Sequence, residues 1–362
     1  MSDSRKEAEE KMAKAIFISA DCWLCVFDLL PPSQLGLEIA LISHRFDYYV
    51  DEHFKTRKWA LKSMRIWRKI RKNRKKEMEI FNFDRNSLPI PQIELPRKII
   101  GFERINITFI DRNVINFLHR FRQLFASRPI NLTIGTNIAD YRILELFLRN
   151  IWPMLGKNIR GIQLSHRIFR LLRQIVPSVL SDFPLLRVVY VYYRIDFFIE
   201  FPCDDSATAS DGQSLAKWLF TPRPDDLPKV LNCSLDMTDE NFASTIEAIK
   251  ATFASASSPV NFIADILFAS SFFNSVVLFD LTNELTGEQL ALKRTAFGNC
   301  FLLVRCPIAR DESKWAKWEE KVVGYGLIDE WSKINIQIND EDEIGEGLLD
   351  EIAGPSDQQQ QK

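Results

Sequence analysis

Only four histidines occur in 362 residues, each beside basic or apolar neighbours and none in an obvious pairing with a nucleophile. The chain also lacks a Gly-rich phosphate loop, a G-x-S-x-G elbow, an H-E-x-x-H pair and a calcium loop, so the common local signatures of enzymes are missing. Its carboxylate pairs Asp204-Asp205 and Asp225-Asp226 fall in Pro-rich loops and read as solvated turns. The opening MSDSRKEAEEKMAKA holds no apolar h-region, which argues against a secretory signal. No stretch reads as a membrane span. The most apolar one, VNFIADILFASSFFNSVVLFDL from Val260, is broken by Asn261, Asp265 and Asn274 and reads as buried strands. Six cysteines form no disulfide framework in a chain this long, which points to a reducing compartment, cytoplasmic and/or nuclear. The sequons at Asn106, Asn131 and Asn232 would matter only outside it. With 47 basic and 48 acidic residues there is no global case for nucleic acid or membrane.

What is present is apolar and aromatic. Hydrophobic residues make up 46% of the chain, with 27 phenylalanines and 8 tryptophans, so most of it should fold, and the length suggests two structured regions. A β–α order recurs. Ile105, Ile107 and Phe109 alternate with Asn106 and Thr108, and Asp111 can cap a helix with apolar positions Val114, Phe117, Leu118 and Phe121. Ile130, Leu132 and Ile134 precede Leu144, Phe147, Leu148 and Ile151. Ile162 and Leu164 precede Ile168, Leu171, Leu172 and Ile175. LRVVYVYY from Leu186 is a further strand, and KVLNCSLDM precedes a helix through Phe242, Ile246, Ile249 and Phe253. Strands near 105, 130, 161 and 186 are spaced as in leucine-rich and related α/β repeats, although the LxxLxLxxN signature is absent. Stacked units of this kind leave one face for a partner. NSVVLFDL, EQLALKR and NCFLLVRC then read as antiparallel strands with a turn at Gly287, and DESKWAKWEEKV as a helix carrying Trp315, Trp318 and Val322 on one side. Trp218, Trp315 and Trp318 read as core.

Near the N-terminus, DCWLCVFDLLPP places Cys22 and Cys25 around Trp23 and Leu24. A redox pair is disfavoured by Asp21 beside the thiol, by the bulky intervening residues and by the missing βαβ frame. Zinc is disfavoured because His44 and His53 stand nine apart and no second C-x-x-C exists. The helical reading accounts for more residues. Trp23, Phe27 and Leu30 lie on one face, and Cys22, Cys25, Val26 and Leu29 on another. A helix apolar all round must be covered on all sides, and a region of about forty residues cannot do so alone, so one face should meet a second protein or the following domain. The cysteines then act as small hydrophobes. Pro31-Pro32 should end this helix and Ser33 cap the next, with Leu35, Ile39, Ile42, Phe46 and Tyr49 forming a stripe through a break near Ser43.

The stretch ISADCWLCVFDLLPPSQLGLEIALISHRFDYYVD resembles an F-box. Ile18 and Ser19 take the places of the family's opening Leu-Pro, Asp21 its acidic place, and Val26 and Leu30 its main apolar anchors. Pro31 and Pro32 match directly, Leu35 fits the leucine after them, and Ile42-Ser43-His44-Arg45-Phe46 matches the close. Ser19 departs from the family's proline, and one extra residue lies between Pro32 and Ile42. LAKWLFTPR, SSPVNFI, NELTGEQL and FLLVRCPIARDESKWAKWEEK resemble the C-terminal halves of a large F-box family of plant-parasitic nematodes. The resemblance implies a non-catalytic, cofactor-free substrate receptor. It would bind a Skp-type adaptor, and through it a cullin–RING ubiquitin ligase, with Ile18, Trp23, Val26, Phe27, Leu30, Pro31, Pro32, Leu35 and Ile42, and would hold a protein target on the downstream domain. On the residues alone, a free-standing α/β binding module or enzyme and a basic nuclear protein remain alternatives.

The expected organisation is a charged segment (1–17), the F-box-like helical hook (18–54), a basic strand or hairpin with linker (55–100), repeat-like α/β units forming a degenerate leucine-rich-repeat-like arc (101–258), a β-rich part (259–338) and a disordered acidic and Gln-rich tail (339–362). Residues 55–76 hold twelve Lys or Arg. Alternation in RIWRKI and EMEIFNF reads as a solvated hairpin. The sharper reading is a nuclear-import signal at Arg68, Lys69, Arg71, Lys72, Arg74, Lys75 and Lys76, and no recognisable module supports nucleic-acid binding.

Overall fold

A computed structural model describes residues 18–30, 35, 39–56, 59–70, 76–82, 87–89, 99–126, 128–135, 141–155, 158–236, 238–268, 276–296, 299–324, 326–339 and 341–349. The chain is a mixed α/β protein built on a large, mostly parallel sheet. It divides into two compact units, Met1–Ala60 with Pro96–Ile100 and Leu61–Leu95 with Gly101–Lys362.

The first unit contains α1 (Ala20–Phe27), a 3-10 turn at Ala40–Ile42 and α2 (His44–Thr56). Ser19, in extended conformation, caps α1 by accepting the Cys22 N–H at 3.4 Å. The helix stops at Phe27, three residues short of the expected Leu30. The N–H groups of Leu29 and Leu30 instead bond back to the carbonyls of Val26 and Phe27, tightening the last turn. The reason is local, since Pro31 disfavours helical backbone at Leu30. The break at Ser43 is present: its backbone is extended, and its hydroxyl accepts the Phe46 N–H at 3.4 Å. Phe27, Leu35 and Val50 form the core of this unit, packed by Trp23, Leu24, Leu30, Ile39, Phe46, Tyr49 and Phe54. Trp23 meets Phe46 edge-on at 4.8 Å between ring centroids. Pro31, Pro32 and Ser33 lie outside the described residues.

The sheet comprises β1 (Trp59–Ile70), β2 (Lys76–Asn82), β3 (Ser87–Pro89), β4 (Ile99–Ile107), β5 (Ile130–Ile134), β6 (Ile159–Ser165), β7 (Val188–Ile195), β8 (Lys229–Leu235), β9 (Phe262–Phe268), β10 (Phe279–Asn283), β11 (Glu288–Arg294), β12 (Cys300–Pro307) and β13 (Ser332–Ile336). Their spatial order is β10-β11-β12-β9-β8-β7-β6-β5-β13-β4-β1-β2-β3. From β4 to β9 each pairing is parallel, and β9 through β10 pair antiparallel. Of the basic run, residues 59–70 form β1, which pairs antiparallel with β2, Ile66 opposite Ile80. From β4 to β7 the steps between successive strand starts are close to thirty residues. The next step, from 188 to 229, is longer because a loop over residues 196–210 precedes its helix.

Strands β4 to β9 follow one another in one direction, so right-handed crossovers put the intervening helices on one face. These are α3 (Arg112–Phe125), α4 (Tyr141–Asn150), α5 (Trp152–Leu155), α6 (His166–Ile175), α7 (Asp211–Leu219) and α8 (Asp239–Ala254). Asp111 caps α3 by accepting the Val114 N–H at 2.8 Å, and Val114, Phe117, Leu118 and Phe121 are buried as the spacing requires. The buried face of α4 is Ile143, Leu144, Leu146 and Phe147, so Leu148 is off the expected stripe. Helix α9 (Glu312–Val323) lies against the opposite sheet face, where Trp315 and Val322 pack on Val188, Val230, Ile263, Leu302 and Val304. A buried ion pair, Arg305 Nη2 to Glu288 Oε2 at 2.6 Å, ties β12 to β11, and Glu288 also accepts the Val260 N–H.

Three expectations for the C-terminal part change. Of NSVVLFDL only Phe279, Asp280 and Leu281, the start of β10, are strand among the described residues, and Val277 and Leu278 are exposed. Residues 332–336 do not belong to the antiparallel segment. As β13 they insert, parallel, between β4 and β5. The tail is not wholly without structure either. Ile344 and Leu348 are buried, Ile344 bridges to Ile110, and the Gly345 N–H bonds the Ile110 carbonyl at 2.8 Å. Two well-placed apolar residues suffice to dock this otherwise acidic segment; residues 351–362 lie outside the described ones.

Candidate functional site

Two surfaces stand out, one on each unit. On the helical unit, α1 presents two faces of different fate. Phe27 is 1% exposed and Leu35 1% exposed, both enclosed by their own unit together with half-buried Trp23 and Leu30. The opposite face is open. Val26 is 43% and Leu29 84% exposed, Cys22 and Cys25 are exposed, and on the 3-10 turn Leu41 and Ile42 are exposed, Ile42 at 62%. The sequence placed Trp23, Phe27, Leu30 and Leu35 among the contact residues. Burial makes Phe27 and Leu35 supports for the surface instead, and leaves Ile18, Val26 and Ile42 on it. It also takes Ile42 out of the inward stripe and the two cysteines out of the buried helix where they were expected. Arg45 braces the unit by donating to the Ile18 carbonyl at 3.2 Å and to the Tyr49 hydroxyl at 2.9 Å.

Among the described residues no group of three or more His, Cys, Asp or Glu could hold a metal ion. The Cys22 thiol accepts from the Ser19 hydroxyl at 3.2 Å. Of the import-signal residues, Arg68 and Lys69 lie on β1 and Lys76 opens β2, whereas Arg71, Lys72, Arg74 and Lys75 lie outside the described residues. No described helix is long and apolar enough to cross a membrane.

The second surface was not anticipated. On the sheet face that carries α9, one register row crosses all seven parallel strands: Asn106, Asn335, Thr133, Gln163, Tyr190, Asn232 and Asp265. At about 4.8 Å per strand the row spans roughly 30 Å. Its members bond pairwise. Asn335 donates to Asn106 at 2.7 Å, Thr133 to Gln163 at 3.2 Å, and Asn232 to Asp265 at 2.8 Å. One position beyond the row, the Tyr192 hydroxyl donates to the Ile134 carbonyl at 2.7 Å. The row below is apolar where α9 covers it (Val188, Val230, Ile263) and polar elsewhere (Arg104, Lys333, Asn131). Gly161 completes that row because a Cβ there would lie 2.4 Å from the Asn131 side-chain oxygen and 3.0 Å from Trp331.

Asp265 ends the polar row. It is 5% exposed, and its second carboxylate oxygen, Oδ1, has no hydrogen-bond partner. Burial pushes its pKa up to about 6, against the bond from Asn232, which favours the charged form. The sequence did carry a signal for this row. The triplets NIT, NLT and NCS, set aside as glycosylation sites, put polar side chains at i and i+2, on one face of three strands. Asn131 and Asn232 are buried, so neither is open to a glycan.

Comparison of the chain with protein-family models, with curated protein sequences and with solved structures gives no match.

Proposed function

We propose that the chain is a substrate receptor of a cullin–RING ubiquitin ligase. The helical hook of residues 18–54 docks on a Skp-type adaptor, and the sheet domain holds a protein target on its polar face. The observation that carries this reading is the division of α1: Phe27 is consumed by the hook's own core while Val26 and Leu29 remain open. Exposed apolar side chains held on a structured frame mark an interaction surface. The F-box-like spacing names the partner, with Val26, Ile18 and Ile42 on the contact face and Phe27 and Leu35 behind it. Among the described residues, Trp23, Phe27 and Leu30 pack in a cluster formed by residues 23–54 of the hook.

The adjacency of β5 to β9 in chain order, with β13 set between β4 and β5 and steps near thirty residues from β4 as far as β7, supports reading them as degenerate leucine-rich-repeat-like units. The half-buried members of the amide and hydroxyl row, from Asn106 to Tyr190 on the sheet face that carries α9, are then offered to a target backbone. Such a protein acts by tethering, raising the target's effective concentration near a partner enzyme. Affinity purification of the tagged chain, followed by mass spectrometry, should recover a Skp-type adaptor and a cullin. Recovery of neither, with the chain soluble, contradicts the proposal.

A further inference from the structure

We propose that a cavity at the N-terminal edge of β4, β13 and β5 binds a dipolar ligand. Its chemistry is a carboxylate beside a guanidinium, as in free arginine or a peptide chain that ends in arginine. The site lies wholly in the sheet domain and is independent of the ligase reading.

Three chain segments build it. Arg104 on β4 and Lys333 on β13 are register partners, so their side chains leave the same face of the sheet. The Ser332 N–H bonds the Pro129 carbonyl at 2.9 Å, which brings Arg128 to the same end of the strands as Trp331. The Ser332 hydroxyl donates to the Phe102 carbonyl at 2.7 Å and ties in the third segment. Together they line a cavity of about 440 Å³ with the Trp331 ring as one wall. That ring is held in place. It is half-buried against the apolar cluster beneath α9, and Gly161 leaves room for it, since a Cβ there would come to 3.0 Å from the ring.

The charges that line the cavity balance without being spent on one another. The cations are Arg104, Arg128 and Lys333, and the carboxylates are Glu103, Asp329 and Glu330. Lys333 pairs with Asp329 at 3.4 Å. The side chains of Arg104, Arg128, Glu103 and Glu330 have no hydrogen-bond or ion-pair partner among the described residues. All four are exposed, so a ligand reaches them from solvent without displacing an internal pair.

This pattern selects the ligand. An anion alone would face Glu103 and Glu330, and a cation alone would face the two arginines. A ligand carrying both signs satisfies both pairs. Arginine side chains present planar N–H forks that match the two oxygens of a carboxylate. A carboxylate and an aromatic ring side by side, as at Glu330 and Trp331, suit a cation. A guanidinium fits both, because its plane stacks on an indole while its edge donates to a carboxylate. The cavity falls in the range of about 300–1,000 Å³ typical of small-ligand sites.

The full chain is titrated calorimetrically with L-arginine and, separately, with acetyl-Ala-Ala-Arg carrying a free carboxylate. One saturable site per chain is expected for at least one of them. Tighter binding of the peptide assigns the site to chain ends, and tighter binding of free arginine assigns it to the amino acid. Amidating the carboxylate, or replacing arginine by its uncharged isostere citrulline, should weaken binding about tenfold, the worth of one charged hydrogen bond. Two variants assign the two ends. Arg104→Gln should weaken the parent ligand about tenfold and leave the amide unaffected, and Glu330→Gln should do the same for the parent ligand and leave the citrulline form unaffected. Arg149→Gln, which alters an exposed arginine paired with Glu145 on α4, should bind as the wild type does. Circular dichroism checks each variant, with Arg128→Gln and Glu103→Gln as the replacements should either not fold. No saturable binding by the wild type, undiminished binding of the amide and citrulline forms, or unchanged affinity in the cavity variants overturns the proposal.

Discussion

Asp265 and Phe27 illustrate how much a single buried group can decide. The Asp265 carboxyl rises from 3.8 to about 6 on folding, so between those values the folded chain holds more protons than the unfolded one. Stability therefore falls as pH rises from about 4 to about 6 and stays at the lower level above that, a loss of about 3 kcal/mol from this group. Asp265→Asn keeps an oxygen for the Asn232 amide and removes the buried charge. Urea denaturation across that range should show a flatter pH profile for the variant and greater stability than wild type at pH 7. Parallel profiles would count against a buried, under-bonded carboxyl. Phe27 acts through packing: it holds the hook's interior, while its neighbour Val26 contributes almost nothing there and is available to a partner.

At the scale of elements, local periodicity read well wherever a chain segment meets its environment one turn or one strand at a time. The β1–β2 hairpin follows from alternation, the start of α3 from Asp111, and the inward faces of α3 and α8 from apolar spacing. What local pattern cannot carry is pairing between distant segments. Strand β13 sits between β4 and β5, anchored by the Ser332 hydroxyl donating to the Phe102 carbonyl at 2.7 Å, a contact across 230 residues. The polar row is of the same kind. Its triplets are visible in sequence, but which strand lies beside which is not. Helix α9 depends on Trp315, buried against β7 to β9 and β12 with the Arg310 guanidinium over its ring at 5.2 Å. Trp315→Ala opens a cavity on that face and should cost about 3–5 kcal/mol. Chemical denaturation would report it, and a change below about 1 kcal/mol would mean that the sheet face closes without α9.

For the molecule as a whole, the two units carry complementary surfaces. The hook offers apolar side chains at Val26, Leu29, Leu41 and Ile42, and the sheet domain offers a polar row of seven residues ending in a buried carboxylate. An apolar patch suits a constant partner, and a wide hydrogen-bonding face suits a varied one. The contribution of the hook is the claim on which the rest depends. It is tested most directly by light scattering of the purified chain mixed with a Skp-type adaptor, comparing wild type with Val26→Asp. The wild type should form a one-to-one complex, and Val26→Asp, with an unchanged circular dichroism spectrum, should leave both proteins at their separate masses. A complex that survives Val26→Asp, or its absence for the wild type, would contradict a docking role for the open face of α1.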